Sequence, residues 1–224
     1  MKKETQKINF WEHLKIKDAP NDTILVNQSL SNQQKNPSNV KFEGFYKIFD
    51  DKNNIVQEGK NAINYENMSV AIANCLGGIT TSQIYSLAFG NGGSTVSGTG
   101  AITYLPPNTS SRSAKLYNQT YEKTGITASI ASTSSSYDAN NTIIINHVSG
   151  NTYTDMVIEC TLGFDEPNDQ ATFDTTDLSD SYTFDEMAVV TQDGYMLTHA
   201  IFAPTAKALN VSLRIEYTIR IKTA

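Results

Sequence analysis

From Val211 to Lys222 the chain alternates without a break. Val211, Leu213, Ile215, Tyr217, Ile219 and Ile221 are apolar, and Ser212, Arg214, Glu216, Thr218, Arg220 and Lys222 between them are polar. Successive side chains of a strand point to opposite faces, so only a long strand with one dry face and one wet face accommodates this run. Upstream, Glu186–Val190 and Tyr195–Phe202 flank Gln192-Asp193-Gly194. Asp-Gly between two apolar runs is a hairpin signal, so the last forty or so residues read as a three-stranded antiparallel meander.

The rest of the chain carries the same punctuation. Phe42, Phe45, Ile48 and Phe49 lead into Asp50-Asp51-Lys52-Asn53-Asn54 before Ile55-Val56, the pattern of a hairpin. Residues 65, 68, 72, 75 and 76 are apolar at helical spacing, with Asn64 placed to cap the start and Gly77 to occupy the position after the end. Ile84–Phe89 reads as a strand stopped by Gly90-Asn91-Gly92-Gly93, and Pro106-Pro107 forbids a central strand there. Ser113–Tyr121 is assigned a short helix. Residues 126–131 and 142–148 are predicted strands, as are residues 152–162, where Tyr153, Val157 and Met156 alternate with Thr and Asp. The expected fold is mainly β, a β-rich α+β chain. It would be an antiparallel sandwich or barrel-like sheet with one or two short helices packed on it, spanning residues 40–224. Residues 1–39 read as an extended N-terminal arm, rich in Asn, Gln and Lys, with Phe10 and Trp11 as its bulky anchors.

Composition narrows the functional classes. Charged residues are 18% of the chain and the net charge is −6, whereas Ser, Thr and Asn supply 66 of the 224 residues. An acidic balance argues against a general nucleic-acid binder. No run of 18 apolar residues occurs, so no membrane helix is expected, and Met1-Lys2-Lys3-Glu4 does not open a secretory signal. Cys75 and Cys160 both lie in apolar runs and read as buried free thiols of a chain that folds in a reducing cytoplasm.

Chemistry-bearing motifs are sparse. His13, His147 and His199 lack metal-ligand spacing, and no HExxH or GxSxG occurs. His147 and His199 read as sheet residues. Gly90-Asn91-Gly92-Gly93-Ser94-Thr95 lacks the lysine of a phosphate loop and reads as a turn with positive φ. No catalytic residue, cofactor or metal is assigned. The unusual feature is a stretch between Lys123 and Lys207 without one Lys or Arg, in which Asp165, Glu166, Asp169, Asp174, Asp177, Asp180, Asp185 and Glu186 cluster. The cluster lacks the spacing of a calcium loop and reads as a solvated loop or an acidic intersubunit surface. Arg214, Arg220 and Lys222 on the last strand are its candidate basic counterpart, and opposite patches on one chain suit head-to-tail association.

One composite pattern looks familiar. Asn61-Ala62-Ile63-Asn64 precedes a short helix ending in Gly-Gly. Leu87-Ala88-Phe89-Gly90-Asn91-Gly92-Gly93 follows, then Leu116-Tyr117-Asn118-Gln119-Thr120-Tyr121. Last come Phe184–Phe202 and a strand ending Glu216-Tyr217-Thr218-Ile219-Arg220-Ile221. Over roughly residues 40–222 this resembles small tail, collar or ring proteins of tailed bacteriophages. The Asn- and Lys-rich usage resembles that of phages of AT-rich hosts, including crAss-like podoviruses of Bacteroides. The resemblance implies a non-enzymatic virion component of the neck or tail, assembled in the host cytoplasm. It would form a ring with copies of itself and neighbouring tail proteins, as part of the DNA ejection conduit. An acidic lumen would let DNA pass without sticking. The alternative is a phage fibre, head-decoration or carbohydrate- or receptor-binding module. A hydrolase built from loop carboxylates is a third class.

Overall fold

The computed structural model of the chain describes residues 39–128, 141–164, 166–167, 183–208 and 211–223. The arm expected at residues 1–39 lies outside the described residues except for Asn39.

The alternating segment forms β12 (Leu213–Thr223), and its apolar face is dry: Leu213, Ile215, Tyr217 and Ile219 are buried. Its partners are β1 (Val40–Phe49) and β9 (Tyr153–Leu162), both antiparallel. The expected C-terminal meander is therefore corrected. Thr183–Thr191 (β10) and Thr198–Ala206 (β11) do form the Asp-Gly hairpin, with Gly194 at φ +83°, but β11 continues to β2 (Ile55–Ile63) and not to β12. The long strand pairs where partners match its length and its dry face. Tyr46 and Ile158 flank Tyr217, while Ile48 and Cys160 flank Ile215. This register also corrects β9, whose buried residues are Ile158, Cys160 and Leu162, while Tyr153 and Val157 lie on the opposite face.

Ten strands form one sheet in the order β6-β3-β10-β11-β2-β1-β12-β9-β8-β7. The strands not yet placed are β3 (Ile84–Gly90), β6 (Gln119–Thr124), β7 (Thr127–Ala128) and β8 (Asn141–Asn146). All pairings are antiparallel except β7 with β8. β4 (Ser94–Val96) and β5 (Ile102–Tyr104) make a separate two-stranded ribbon. The large sheet curls into a half-barrel with one helix, as the mainly β expectation requires. Its main core gathers Leu87, Phe89, Ile158, Met187, Ile215 and Tyr217, and helix α1 (Tyr65–Leu76) adds Met68 and Ala71. A smaller core joins Ala88, Ala188 and Met196 to Ala114 and Leu116 of the segment following the prolines.

The local signals largely hold. Asn64 Oδ1 accepts the Asn67 N–H at 3.1 Å and caps α1. Gly77 is helical at φ −78°, and it is Gly78, at φ +83°, that takes the left-handed position after the helix. Asp50 accepts from Lys52 N and Asn54 N, which fixes the turn between β1 and β2. No helix forms at residues 113–121; Gln119–Thr124 is strand β6, recruited by pairing with β3. Residues 127–128 are strand, and 129–131 lie outside the described residues. Cys160 is buried, with its thiol pushed up to about 12 by desolvation, but Cys75 is exposed on the last turn of α1.

The dry face of β12 sets a test. Ile215→Ala leaves a cavity between β1 and β9 and should lower stability by about 2–5 kcal/mol, whereas Thr218→Ala on the wet face should change it by less than about 0.5 kcal/mol. Urea denaturation of the two variants measures the contrast.

Candidate functional site

Two acids that the sequence places on a surface lie inside the protein. Asp185 and Glu186 sit on β10, a strand buried along nearly its whole length, and Glu186 is 0% exposed. A register shift against β11 between Phe184 and Glu186 marks an irregularity at Asp185. Such a shift re-aims side chains, and here both carboxylates meet the same loop. The expectation of an exposed acidic patch is corrected at these two positions because their charges are consumed by internal donors.

Glu186 takes four of them. Its Oε1 accepts the backbone N–H of Gly92 at 3.1 Å and of Asn118 at 2.8 Å. Its Oε2 accepts the Tyr117 N–H at 2.9 Å and faces His199 Nε2 at 3.0 Å. His199 Nδ1 accepts the Asn108 N–H at 2.8 Å, so Nδ1 carries no proton and Nε2–H is the donor to the carboxylate. The imidazole is therefore neutral and is a sheet residue joining a loop to an acid. Burial opposes ionisation of Glu186, yet the hydrogen bonds from His199, Asn118 and Tyr117 outweigh it and hold the carboxyl below its ordinary range. Asp185 grips the next residues: Oδ1 accepts Gly93 N–H at 2.9 Å, and Oδ2 accepts Ser94 N–H and Oγ at 2.7 and 2.6 Å.

The glycines before β4 make this contact possible by size and not by turn conformation. None of Gly90, Gly92 and Gly93 has positive φ, which corrects the expected turn. A Cβ on Gly90 would stand 2.4 Å from Asn118 O and 2.5 Å from Glu186 Oε1, and one on Gly92 would stand 2.7 Å from Asn118 N. The backbone must come this close for its N–H groups to reach the acid. Three stretches distant in sequence, 87–93, 116–121 and 184–202, thus converge on one carboxylate. Sequence reasoning assigned no role to Tyr117, Asn118 or His199. Their proximity to Glu186 comes from strand order, which the local pattern does not encode.

The remaining predicted residues are dispersed. Glu166 pairs with Lys123 of β6, and although burial opposes it, that hydrogen bond lowers its pKa, with help from Lys207. Asp165, Asp169, Asp174, Asp177 and Asp180 lie outside the described residues. Arg220 makes two hydrogen bonds to Asp155 at 2.7 and 2.8 Å and stacks over Tyr153. Arg214 pairs with Glu216 at 2.6 Å and lies over Phe49. Both guanidiniums are therefore engaged within the sheet's wet face and do not form a free basic patch, while Lys222 is exposed near the end of β12. His147 is exposed just beyond β8 and contacts Thr154 Oγ1. Elsewhere, a cleft of about 680 Å³ with mixed polar and apolar walls opens beside the start of β1, with Phe42, Glu43, Lys60, exposed Tyr65 and Glu66 among them.

The arrangement around β10 is a clasp. Chemically it fixes three loops and the root of the β4–β5 ribbon, and each oxygen of Glu186 already has two partners. Comparison with protein-family models, curated proteins and solved structures finds no match.

Glu186→Gln turns an acceptor into an amide N–H2 facing donors, and should cost about 3 kcal/mol near neutral pH. Glu186's lowered pKa stabilises the native state above the unfolded glutamate value of about 4.3, and that contribution is lost as pH falls through the folded value. Urea midpoints from about pH 7 down to about pH 3 should therefore fall more steeply for the parent than for Glu186→Gln.

Proposed function

We propose that this chain is a virion structural protein, a ring subunit in the neck or tail of a tailed phage that forms part of the DNA ejection conduit. The observation that carries the reading is the engagement of its buried acids. Asp185 and Glu186 are the most deeply placed carboxylates among the described residues, and their oxygens are occupied by loop donors. A general acid or base needs a lone pair or proton available to substrate, so these two favour scaffold over catalysis. They hold a ribbon on which Val96, Ile102 and Tyr104 are exposed, a feature suited to contact with a neighbour. The acidic lumen invoked for DNA passage rests on Asp165, Asp169, Asp174, Asp177 and Asp180, since Glu166, Asp185 and Glu186 have internal partners.

The cleft beside Tyr65 favours a second reading, a fibre, head-decoration or receptor-binding module in which an exposed aromatic ring meets a sugar. Mass photometry and sedimentation of the purified chain from nanomolar to high micromolar concentration separate the two. A closed oligomer of more than three copies, annular in negative stain, is expected. A discrete trimer would favour the fibre or decoration reading, and a monomer throughout would overturn self-assembly.

A further inference from the structure

We propose that copies of this chain join head to tail, the β4–β5 ribbon of one seating in the apolar groove between α1 and the β8–β9 end of the sheet in the next. The inference rests on the self-assembly reading above and adds the contact and its polarity.

The groove has a volume of about 270 Å³, roughly that of nine waters. Ile72 and Cys75 of α1 form one wall; Ile84, Ile143, Ile145 and Met156 form the other. It exists because α1, at twelve residues about 18 Å long, covers only part of the curled sheet. Ile145 in the groove is 58% exposed, and Leu76, outside its lining on the last turn of α1, is 85% exposed. No Asp, Glu, Lys or Arg lines the groove.

The ribbon has matching chemistry. Val96 pairs with Ile102 and Ser94 with Tyr104, so Val96, Ile102 and Tyr104 share one face while Thr95 and Thr103 share the other. Val96 is 59% exposed. Residues 91–111 contain no charged side chain. Seating the ribbon in the groove therefore desolvates no ion on either partner, and the two surfaces are electrostatically compatible where a charged tip would be penalised.

Position fixes the polarity. The ribbon follows the Gly90 end of β3, and the groove opens at the Ile84 end, six residue steps or about 20 Å away. The ribbon is rooted at its own end by Asp185 and lies beside β11, and its apolar face stays partly exposed in the single chain, Val96 most of all. Ribbon and groove are different surfaces, so the contact is heterologous and propagates into a ring or filament. The ribbon face itself is small. Two three-residue strands present a face on the order of 10 Å by 10 Å, far below the roughly 800 Å² per partner of a stable pair. One such contact is weak, and a closed ring gains by letting every copy make it twice.

The test uses Val96→Asp on the ribbon and Ile145→Asp in the groove, at positions 59% and 58% exposed. Both sites are exposed, so both variants should keep the parent's thermal unfolding. Each alone should remain monomeric at concentrations where the parent assembles. Mixed at high micromolar concentration, where one weak contact is populated, they should give a one-to-one dimer and nothing larger, because one intact ribbon and one intact groove remain. Cys75 reports occupancy, since Cys160 is buried: a maleimide should label Cys75 fast in either monomeric variant and at least tenfold more slowly in the assembled parent. Assembly of either variant like the parent would overturn the ribbon–groove contact and leave self-assembly standing. A parent that never assembles would instead sink the reading on which it rests. Slow labelling of Cys75 in the monomers would mean that the chain's own residues fill the groove, and would also overturn the contact.

Discussion

An ionised carboxylate in a protein interior is tolerable only when donors replace the water it loses, and Glu186 organises much of this chain around that requirement. Three backbone N–H groups and one imidazole come to it from Gly92, Tyr117, Asn118 and His199. Gly92, Tyr117 and Asn118 lie in loops that their N–H groups fix to β10, and His199 ties β11 to the same acid. Gly90 and Gly92 are small because the acid and the Asn118 backbone occupy the space of their absent side chains. Tyr117 and Asn118 bring with them Leu116, which with Ala114 covers the outer face of β3 and β10. Through His199, the carboxylate also reaches Asn108, just beyond the two prolines. The ribbon between Ser94 and Tyr104 is thereby held at both ends by groups tied to two successive residues of β10. Loss of the charge would loosen these elements together, as expected of one network and not of separate pairs.

Periodicity and turn chemistry made the individual strands legible, and topology escaped them. The alternation at residues 211–222 defined β12 and its dry face to within two residues. Asp193-Gly194 and the Asp50–Asn54 cluster located real turns, and Asn64 located the start of α1. What adjacency suggested, that β12 would follow β11 in space, failed because β1 offered a partner of matching length and matching inward residues. The phase of β9 failed for a related reason. Met156, Val157 and Ile158 are all apolar, so the local pattern leaves either face permissible until Tyr217 and Ile215 select the even positions. The proposed helix at 113–121 gave way to tertiary pairing in the same manner, since Gln119–Thr124 is a strand only because β3 lies beside it.

The acid-rich run shows how a sound count can carry a mistaken placement. Between Lys123 and Lys207 the chain has no basic side chain, which made surface exposure the natural reading for every acid within it. Charge balance, however, is settled in space. Glu166 pairs with Lys123 and is influenced by Lys207, the two lysines that bound the run in sequence. At the other end of the cluster, Asp185 and Glu186 are neutralised by dipoles of backbone N–H groups, which no count of ionisable residues registers. Glycine placement was the available signal. Gly90, Gly92 and Gly93 have no need of positive φ, so close approach was the remaining reason for three glycines in four positions.

Charge depletion in residues 91–111 then acquires a physical meaning. A segment of that length, left in water and unpaired to the main sheet, would ordinarily carry charge for solubility. Here its footing is a pair of buried acids and its surface is Val, Ile, Tyr, Thr, Ser and Gly. Rigid anchorage lowers the entropy lost when such a ribbon docks, and absence of charge removes the desolvation penalty. The same chain leaves an uncharged groove beside α1 at the far end of β3. A protein that functioned alone would gain from filling that groove and polarising that ribbon. Both lie on one molecule at opposite ends of one strand, the arrangement that the proposed head-to-tail contact requires.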